Sequence, residues 1–533
     1  MRRPSPVSAS LMFGMLLGAS ASRADTPGTA AQPPDVSGAG AAIPASPAPA
    51  PAPGVPSPGS SVPVVVPAGD TAVTAAVAAL GAWAASAHAH LGTAVLDVGT
   101  GSVLAAAHEH ELVNPASNTK VLTTATVLDR MGPDYRFTTG LFGHLDGDTV
   151  SELVLRGNGD PSLDAARLFE LATALRALGV RHVGRLLVDQ SYFDDRFVPP
   201  AFEQQPNEWA PFRAPVSAVS LGRNTVTLNV LARQEGSAAA IWFEPAGFVD
   251  VHGAIATRRP GAASAIRVTL SPKGPRLLAD VGGYAGAGPT RLRYGKRADD
   301  PRLLAGYALK ATLRDLGIDV TTDVAQGGES ARERLASIDS EPLSVLVREL
   351  GKNSDNFYAE TLLKALGGFL RGAPAHSQDG AEAVLAWIGA AGALEPGTRF
   401  INGSGLFDAN RVSALELATV LRVAYQSPRI GPDFVAQLSI GGVDGTLGSR
   451  FSAEAKRRII RAKTGTLDGV IALSGYVLAP PGRAPIAYSF ILTGVSGHHA
   501  EARARLDRAV EAIAGTLWAS DGPRPDDTAR AHL

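Results

Sequence analysis

Residues 114–133 read Asn114-Pro115-Ala116-Ser117-Asn118-Thr119-Lys120 and then VLTTATVLDRMGP, and this stretch decides how the rest of the chain is read. Asn114-Pro115 punctuates the chain. From Ser117 to Met131, the residues Val121, Leu122, Ala125 and Leu128 recur at helical spacing until Gly132-Pro133 stops the run. Ser117 therefore stands at a helix start, where outward-pointing amides favour a developing oxyanion. Lys120, one turn on, shares its face and can reach its hydroxyl. A lysine acts as a base only when its pKa is lowered, so this reading calls for burial and for a second cation nearby.

Working outward, Thr93 to Val98 and Ser102 to Ala107 read as strands joined by Gly99-Thr100-Gly101, behind an Ala-rich helix from Thr71 to Ala89. At the far end Arg458 to Thr466, Val470 to Leu478 and Pro485 to Val495 are strand-like runs, followed by a helix from Ala500 to Trp518. Two early and three late strands predict a five-stranded antiparallel sheet with both terminal helices on one face, so that the chain closes on itself and the middle is inserted. Within that middle, strands (Glu152 to Leu155, Arg185 to Asp189, Thr225 to Leu231, Ile266 to Leu270) mix with helices (Asp164 to Leu178, Arg302 to Leu316). Leu343 to Leu350 and Asn356 to Phe369 form a helix pair broken at residues 351–355, and helices resume at Ala381 to Ala390 and Ser413 to Tyr425.

Two more short motifs fall at corners of this layout: Ser354-Asp355-Asn356 in the interhelix break, and Lys463-Thr464-Gly465-Thr466 on a late strand. Arginine carries nearly all the positive charge, and only eight lysines occur. Chance gives Ser-x-x-Lys about 0.6 times and Lys-Thr-Gly about 0.05 times in such a chain. The weight lies in the combination, since two rare lysines stand where arginine would serve for mere surface charge. Ser354 can relay a proton to a leaving amine, and Asn356 can hydrogen-bond a substrate amide. Lys463 with Thr464 or Thr466 suits a terminal carboxylate, Gly465 lets an extended substrate lie against the strand, and the Thr466 amide can join that of Ser117 as an oxyanion donor.

Composition narrows the field. The 533 residues carry 49 Lys+Arg against 50 Asp+Glu, which excludes a basic nucleic-acid binder. Cysteine is absent, removing thiolate nucleophiles, cysteine-ligated zinc and disulfides together. Arg2-Arg3, the apolar run Leu11 to Leu17 and the small residues up to Ala24 read as a secretory signal over 1–24 that is too short to span a bilayer. Residues 25–69 are almost all Ala, Pro, Gly, Ser and Val and read as a disordered tether, and 519–533 as a disordered tail. Membrane association is then at most peripheral.

The three motifs in this order resemble those of the penicillin-binding proteins and serine β-lactamases. The long gap between the first two resembles one branch in particular, the class C D-alanyl-D-alanine carboxypeptidase/endopeptidases of the DacB type, peptidase family S13. Residues 157–161 (GNGDP), 214–218 (APVSA), 402–406 (NGSGL) and 442–447 (GVDGTL) match that branch as well, and the likeness runs from about Asp70 to Trp518. The Pro/Ala tether is a departure from it. The resemblance implies an α+β fold: a transpeptidase-like domain from 70–136 and 341–518, with one or two smaller domains nested over 137–340. It implies acylation of Ser117 by a peptidoglycan stem peptide, loss of D-alanine or of a cross-linked peptide, and hydrolysis, with Lys120, Ser354 and Lys463 catalytic and Asn356, Thr464, Gly465 and Thr466 binding substrate. β-Lactams are the implied covalent inhibitors and the periplasm the implied location. No cofactor and no metal are implied, and a homodimer stays open. A serine β-lactamase and a non-catalytic penicillin-binding scaffold or sensor are the alternatives.

Other conspicuous residues read plainly. The pairs among His88, His90, His108, His110, His182, His498 and His499 lie in loops or on strands without a converging acid, so no metal is expected. Asp194, Asp195, Asp299 and Asp300 read as solvated turns. Glu360 reads as a buried structural carboxylate, with tuning of a nearby lysine as the alternative, and Trp209, Phe212 and Trp242 as core of the insertion, with lining of a sugar or peptide groove as the alternative.

Overall fold

A computed structural model of the chain describes residues 71–328 and 330–518. The expected signal, tether and tail lie outside these. The α+β reading holds, and the chain does close on itself. His90–Asp97 pairs antiparallel with Ile486–Thr493 along its whole length, His90 opposite Thr493 and Asp97 opposite Ile486. From one edge the sheet runs Ser439–Ile440, Ile460–Leu467, Val470–Val477, Ile486–Thr493, His90–Asp97, Val103–Ala107. It thus has six strands where five were expected. The extra one, Ser439–Ile440, pairs only with Ala462 and Arg461, and two residues are too few to show a period.

Alternate side chains serve opposite faces of this sheet. Val95, Leu473 and Phe490 pack against Val73, Val77 and Leu80 of helix Thr71–Ser86 and Leu506, Val510 and Ile513 of helix His499–Trp518. Their chain neighbours Ala94, Ala472 and Ile491 face the other way, onto Leu417 and Leu421 of helix Ala414–Gln426 and Val121 and Leu122 of helix Thr119–Met131. Truncating the fully buried Leu473 or Phe490 to alanine costs about 2–5 kcal/mol, since little in a two-sided sheet can collapse into the gap. Helix Thr119–Met131 is buried on every side from Thr119 to Leu128. Three of its four threonines are satisfied: Thr126 bonds back to the Leu122 carbonyl at 2.9 Å, Thr123 to the Gly403 carbonyl at 2.8 Å, and Thr119 Oγ1 accepts from Asn410 Nδ2 at 3.1 Å, while the Thr124 hydroxyl is buried without a partner.

The middle leaves and returns on neighbouring strands, Thr138–Phe142 and Arg334–Asp339, with Thr138 opposite Asp339. Just below them the Phe137 amide donates to Ser340 Oγ (3.0 Å) and the Ser340 amide to the Phe137 carbonyl (2.8 Å). Beyond this neck, Thr149–Gly157 and His182–Asp189 run parallel with helix Ala165–Ala177 between them in sequence, a βαβ unit. Smaller sheets follow, centred on Thr225–Leu231 and Arg276–Gly286. Apolar residues from Leu141 to Ala336 gather in a cluster of their own. Phe193, Ala214, Val216 and Ala218 are the exception and join the helical core beneath the large sheet, so the insertion is held there as well as at its neck.

Candidate active site

Ser117 lies in a single 3-10 turn, Ala116–Asn118, immediately before the helix, which begins at Thr119 and therefore starts two residues later than the spacing predicts. Two residues at this site, Ala116 (φ 48°) and Ser354 (φ 57°), hold left-handed backbone, which costs about 1–2 kcal/mol each for an L-residue. The surroundings enforce it. Asn114 Oδ1 accepts the Ala116 amide at 2.9 Å, and Asn118 Nδ2 donates to Ser474 Oγ at 2.7 Å, fastening the turn to the sheet. Opposite it stands Gly405 (φ 73°), where a Cβ would sit 1.9 Å from the Ala116 carbonyl oxygen, so no other residue fits. Asn402 Oδ1 accepts the Gly405 amide (2.9 Å) and so folds the 402–406 loop against the turn.

That loop supplies what the sequence did not reveal. Lys120 Nζ, fully buried, donates to Ser117 Oγ (3.1 Å), to Asn356 Oδ1 (2.8 Å) and to the Ser404 carbonyl (2.7 Å). All three acceptors are neutral. Burial lowers the Lys120 pKa to about 7, against the pull of the Glu360 and Asp355 carboxylates. Glu360, itself buried and pushed upward by desolvation, accepts the Gly403 (3.1 Å) and Ser404 (2.8 Å) amides. It thus holds the Ser404 carbonyl on Lys120 while its own charge opposes the lysine's deprotonation. The structural and the tuning readings of Glu360 both apply.

Lys463 donates to Ser354 Oγ (2.7 Å) and to the Thr464 carbonyl (2.8 Å). It too is fully buried, and burial first and the Lys120 charge second depress its pKa well below the usual lysine range. Repulsion between two cations is mutual, so the expected influence of a second cation belongs to the Lys120–Lys463 pair as a whole. Behind them, Thr464 Oγ1 donates to Thr446 Oγ1 (2.9 Å), and Lys352 pairs with Asp444 (2.7 Å), so residues 442–447 serve as a backing for the strand.

Strand Ile460–Leu467 is paired on its outer side only as far as Ala462, which leaves the backbone of 463–467 without a strand partner there, beside the Ser117 turn. At Gly465 a Cβ would lie 3.0 Å from the Pro115 carbonyl and 3.2 Å from Ala116 Cβ, so its bareness admits the Ser117 turn. Thr464 is half-buried and Thr466 exposed. Asn356 Nδ2 donates to the Phe212 carbonyl (3.2 Å), and Arg223 pairs with Asp355 (2.7 Å) and Glu349 (3.2 Å). The insertion therefore reaches the second motif directly.

Several readings change. Phe212 and Trp242 are 48% and 36% exposed rather than core, and Trp209 is only partly buried. Asp194 is no solvated turn: it accepts from Lys364 and from His376 Nδ1 (2.7 Å). Asp299 and Asp300 keep the solvated reading: both are exposed between elements, where they pair with Arg297 and Arg302. An acid does converge on a histidine pair, since His90, His108 and Glu111 bring their donor atoms within 4.8 Å of one another.

The D-Ala-D-Ala carboxypeptidase 3 (S13) family model matches residues 73–514, which include every group described above. The chain belongs to this family. A D-alanyl-D-alanine carboxypeptidase of Actinomadura sp. (strain R39) is 32% identical over 436 residues, 76% of this chain and 78% of that protein. The D-alanyl-D-alanine carboxypeptidase DacB of Haemophilus influenzae is 25% identical over 413 residues, 73% of this chain and 82% of its own length. The crystal structure of penicillin binding protein 4 (dacB) from Haemophilus influenzae shares the fold, with a TM-score of 0.67 at 22% identity over 81% of this chain and 96% of that one. The same protein complexed with a β-lactam gives a TM-score of 0.63. Membership makes this S13 chain a peptidase of the D-Ala-D-Ala carboxypeptidase type. Among its described residues no helix is long and apolar enough to cross a membrane.

Proposed function

We propose that the chain is a serine DD-peptidase that cleaves D-Ala-D-Ala termini or cross-links of peptidoglycan stem peptides through an ester on Ser117. The observation that carries this is Lys120: buried, 3.1 Å from Ser117 Oγ, in contact with neutral acceptors only, and with a pKa near 7. Neutral Lys120 takes the Ser117 proton as Oγ attacks the penultimate D-Ala carbonyl. The amides of Ser117 and Thr466 receive the oxyanion. Ser354, held by Lys463 Nζ, passes a proton to the departing amine, and water then enters with Lys120 again as base. Lys463, Thr464 and Thr466 take the terminal carboxylate along the open strand edge above Gly465. Asn356 Nδ2 exchanges the Phe212 carbonyl for one of the substrate.

A β-lactam offers the same amide and carboxylate, so it acylates the same oxygen. The 137–340 insertion acts as nested domains that select large substrates, a role favoured by its contacts at Asn356, Asp355 and Glu349. The leader and tether imply export, with the periplasm as the working location.

The deciding test is labelling. A fluorescent penicillin should form one adduct per chain, mapping by mass spectrometry to Ser117, and Ser117→Ala should abolish it. An adduct on another serine, or labelling that survives the change, removes the proposal.

A further inference from the structure

The histidines and the glutamate brought together at the end of the first hairpin have no part in the peptidase chemistry. The register that sets Thr93 opposite Ala107 brings the start of strand His90–Asp97 beside the turn that follows Val103–Ala107. His108 opens that turn with left-handed backbone (φ 45°), and its carbonyl accepts the Glu111 amide at 3.1 Å, which swings the Glu111 side chain back towards the strand. The His90 and His108 rings lie 4.5 Å apart between centroids.

Each donor atom is prepared. His108 Nδ1 faces the Leu91 carbonyl at 3.1 Å. A carbonyl only accepts, so Nδ1 carries the proton and Nε2 presents a bare lone pair, the arrangement in which metal-bound histidines are oriented. His90 Nε2 lies 2.6 Å from Glu111 Oε2, yet it is closed to solvent and makes no aligned hydrogen bond. The contact sets an imidazole nitrogen and a carboxylate oxygen side by side, as two ligands of one ion would stand. Two imidazoles and one carboxylate, without thiolate, suit a zinc-class divalent ion, whose ligand atoms sit about 3.3 Å apart around bonds of about 2.0–2.1 Å. Half-exposed side chains reach that spacing by small rotations, and the open side leaves room for water.

We propose that His90, His108 and Glu111 form a binding site for one zinc-class divalent cation, with water completing the sphere. The ion would brace the hairpin end against the segment that runs on through Asn114 to Ser117. That segment is already tied at Val113 to Val412, in mutual backbone bonds of 3.0 Å, so the ion adds a brace upstream of an anchored point.

The test uses the untagged full chain at neutral pH, after chelator treatment. Titration with cobalt(II) should develop the visible absorption of a four-coordinate nitrogen and oxygen site with one equivalent bound. Zinc(II) should displace it, with Kd below about 10 μM by competition with a chromophoric chelator. Glu111→Gln and His108→Ala should each weaken zinc at least tenfold, while His498→Ala/His499→Ala leaves affinity unchanged. Zinc should also raise the melting temperature of the unaltered chain and not of His108→Ala. Equal affinity in the unaltered chain and in Glu111→Gln overturns the site. So does loss of the bound equivalent in the His498/His499 variant alone. Glu111 is half-exposed and outside any strand, so its variant reports even where a histidine variant fails to fold.

Discussion

Helix Asn356–Arg371 carries two buried lysine pockets along one stripe, and they differ in a single respect. At its start, Asn356 and Glu360 face Lys120, whose ammonium touches only neutral acceptors. Two turns on, Lys364 is equally buried, but its Nζ meets the Asp194 carboxylate, with the Arg196 carbonyl at 2.9 Å and the Phe193 ring at 5.2 Å. Burial lowers both lysine pKa values; for Lys364 the Asp194 contact restores part of the loss. Burial pushes Asp194 up, yet Lys364 and His376 outweigh it and hold the carboxyl below the usual range. A carboxylate in contact favours the charged form of a buried lysine more than neutral dipoles do. Both carboxylates that act on Lys120 stand outside hydrogen-bond contact with it.

The comparison breaks most visibly at Lys120. Lys120→Arg keeps the charge and discards the base, so the second-order rate of acylation by a labelled penicillin should fall by about 10³-fold or more. Lys463→Arg keeps a cation near Ser354 and the substrate carboxylate and should lose about 10–100-fold. Equal losses would end the division of labour between the two.

Lys364→Met should do the opposite. It leaves Asp194 with His376 as its remaining ionisable partner, so stability measured in urea should drop by about 1–3 kcal/mol. Acylation of the folded fraction should change less than about threefold. A collapse of acylation would mean the two pockets are not independent.

A gentler probe is pH. Lys120 is a base only when neutral, so acylation should decline about tenfold per unit as pH falls below its value near 7, and level off above it. Glu360→Gln removes a charge that holds this pKa up, so the acid limb should move to lower pH. A limb that stays put would place the controlling charge elsewhere.

The smallest expected effect belongs to Arg223→Ala, which unties an exposed pair from Asp355 and Glu349. It should cost under about 1 kcal/mol, because solvent screens such pairs. Turnover of a small acyl-D-Ala-D-Ala peptide should stay within about threefold, while cleavage of cross-linked fragments falls further.

Side-chain chemistry made the motif residues legible, and strand and helix periods made the joining of the two chain ends legible. What escaped notice has no side-chain signature. The Ser404 and Phe212 carbonyls are backbone groups, as available on any residue. Ser439–Ile440 is too short for a pattern. Glu111 lies 21 residues from His90, and only the hairpin register unites them. Aromatic character signals burial on average, whereas the Phe212 ring is exposed.

The closure of the large sheet by both chain ends also sets an order in time. Ser117 and Lys120 are synthesised early, but the strand bearing Lys463 and its two neighbours follow about 350 residues later, roughly 20–70 s at ordinary rates of synthesis. Until then strand His90–Asp97 lacks its partner Ile486–Thr493, and helix Thr119–Met131 lacks the sheet that buries it. The Ser117 turn thus lacks the sheet that fastens it through nearly the whole of its own making. A chain cut short before residue 486 carries every motif and still has no site.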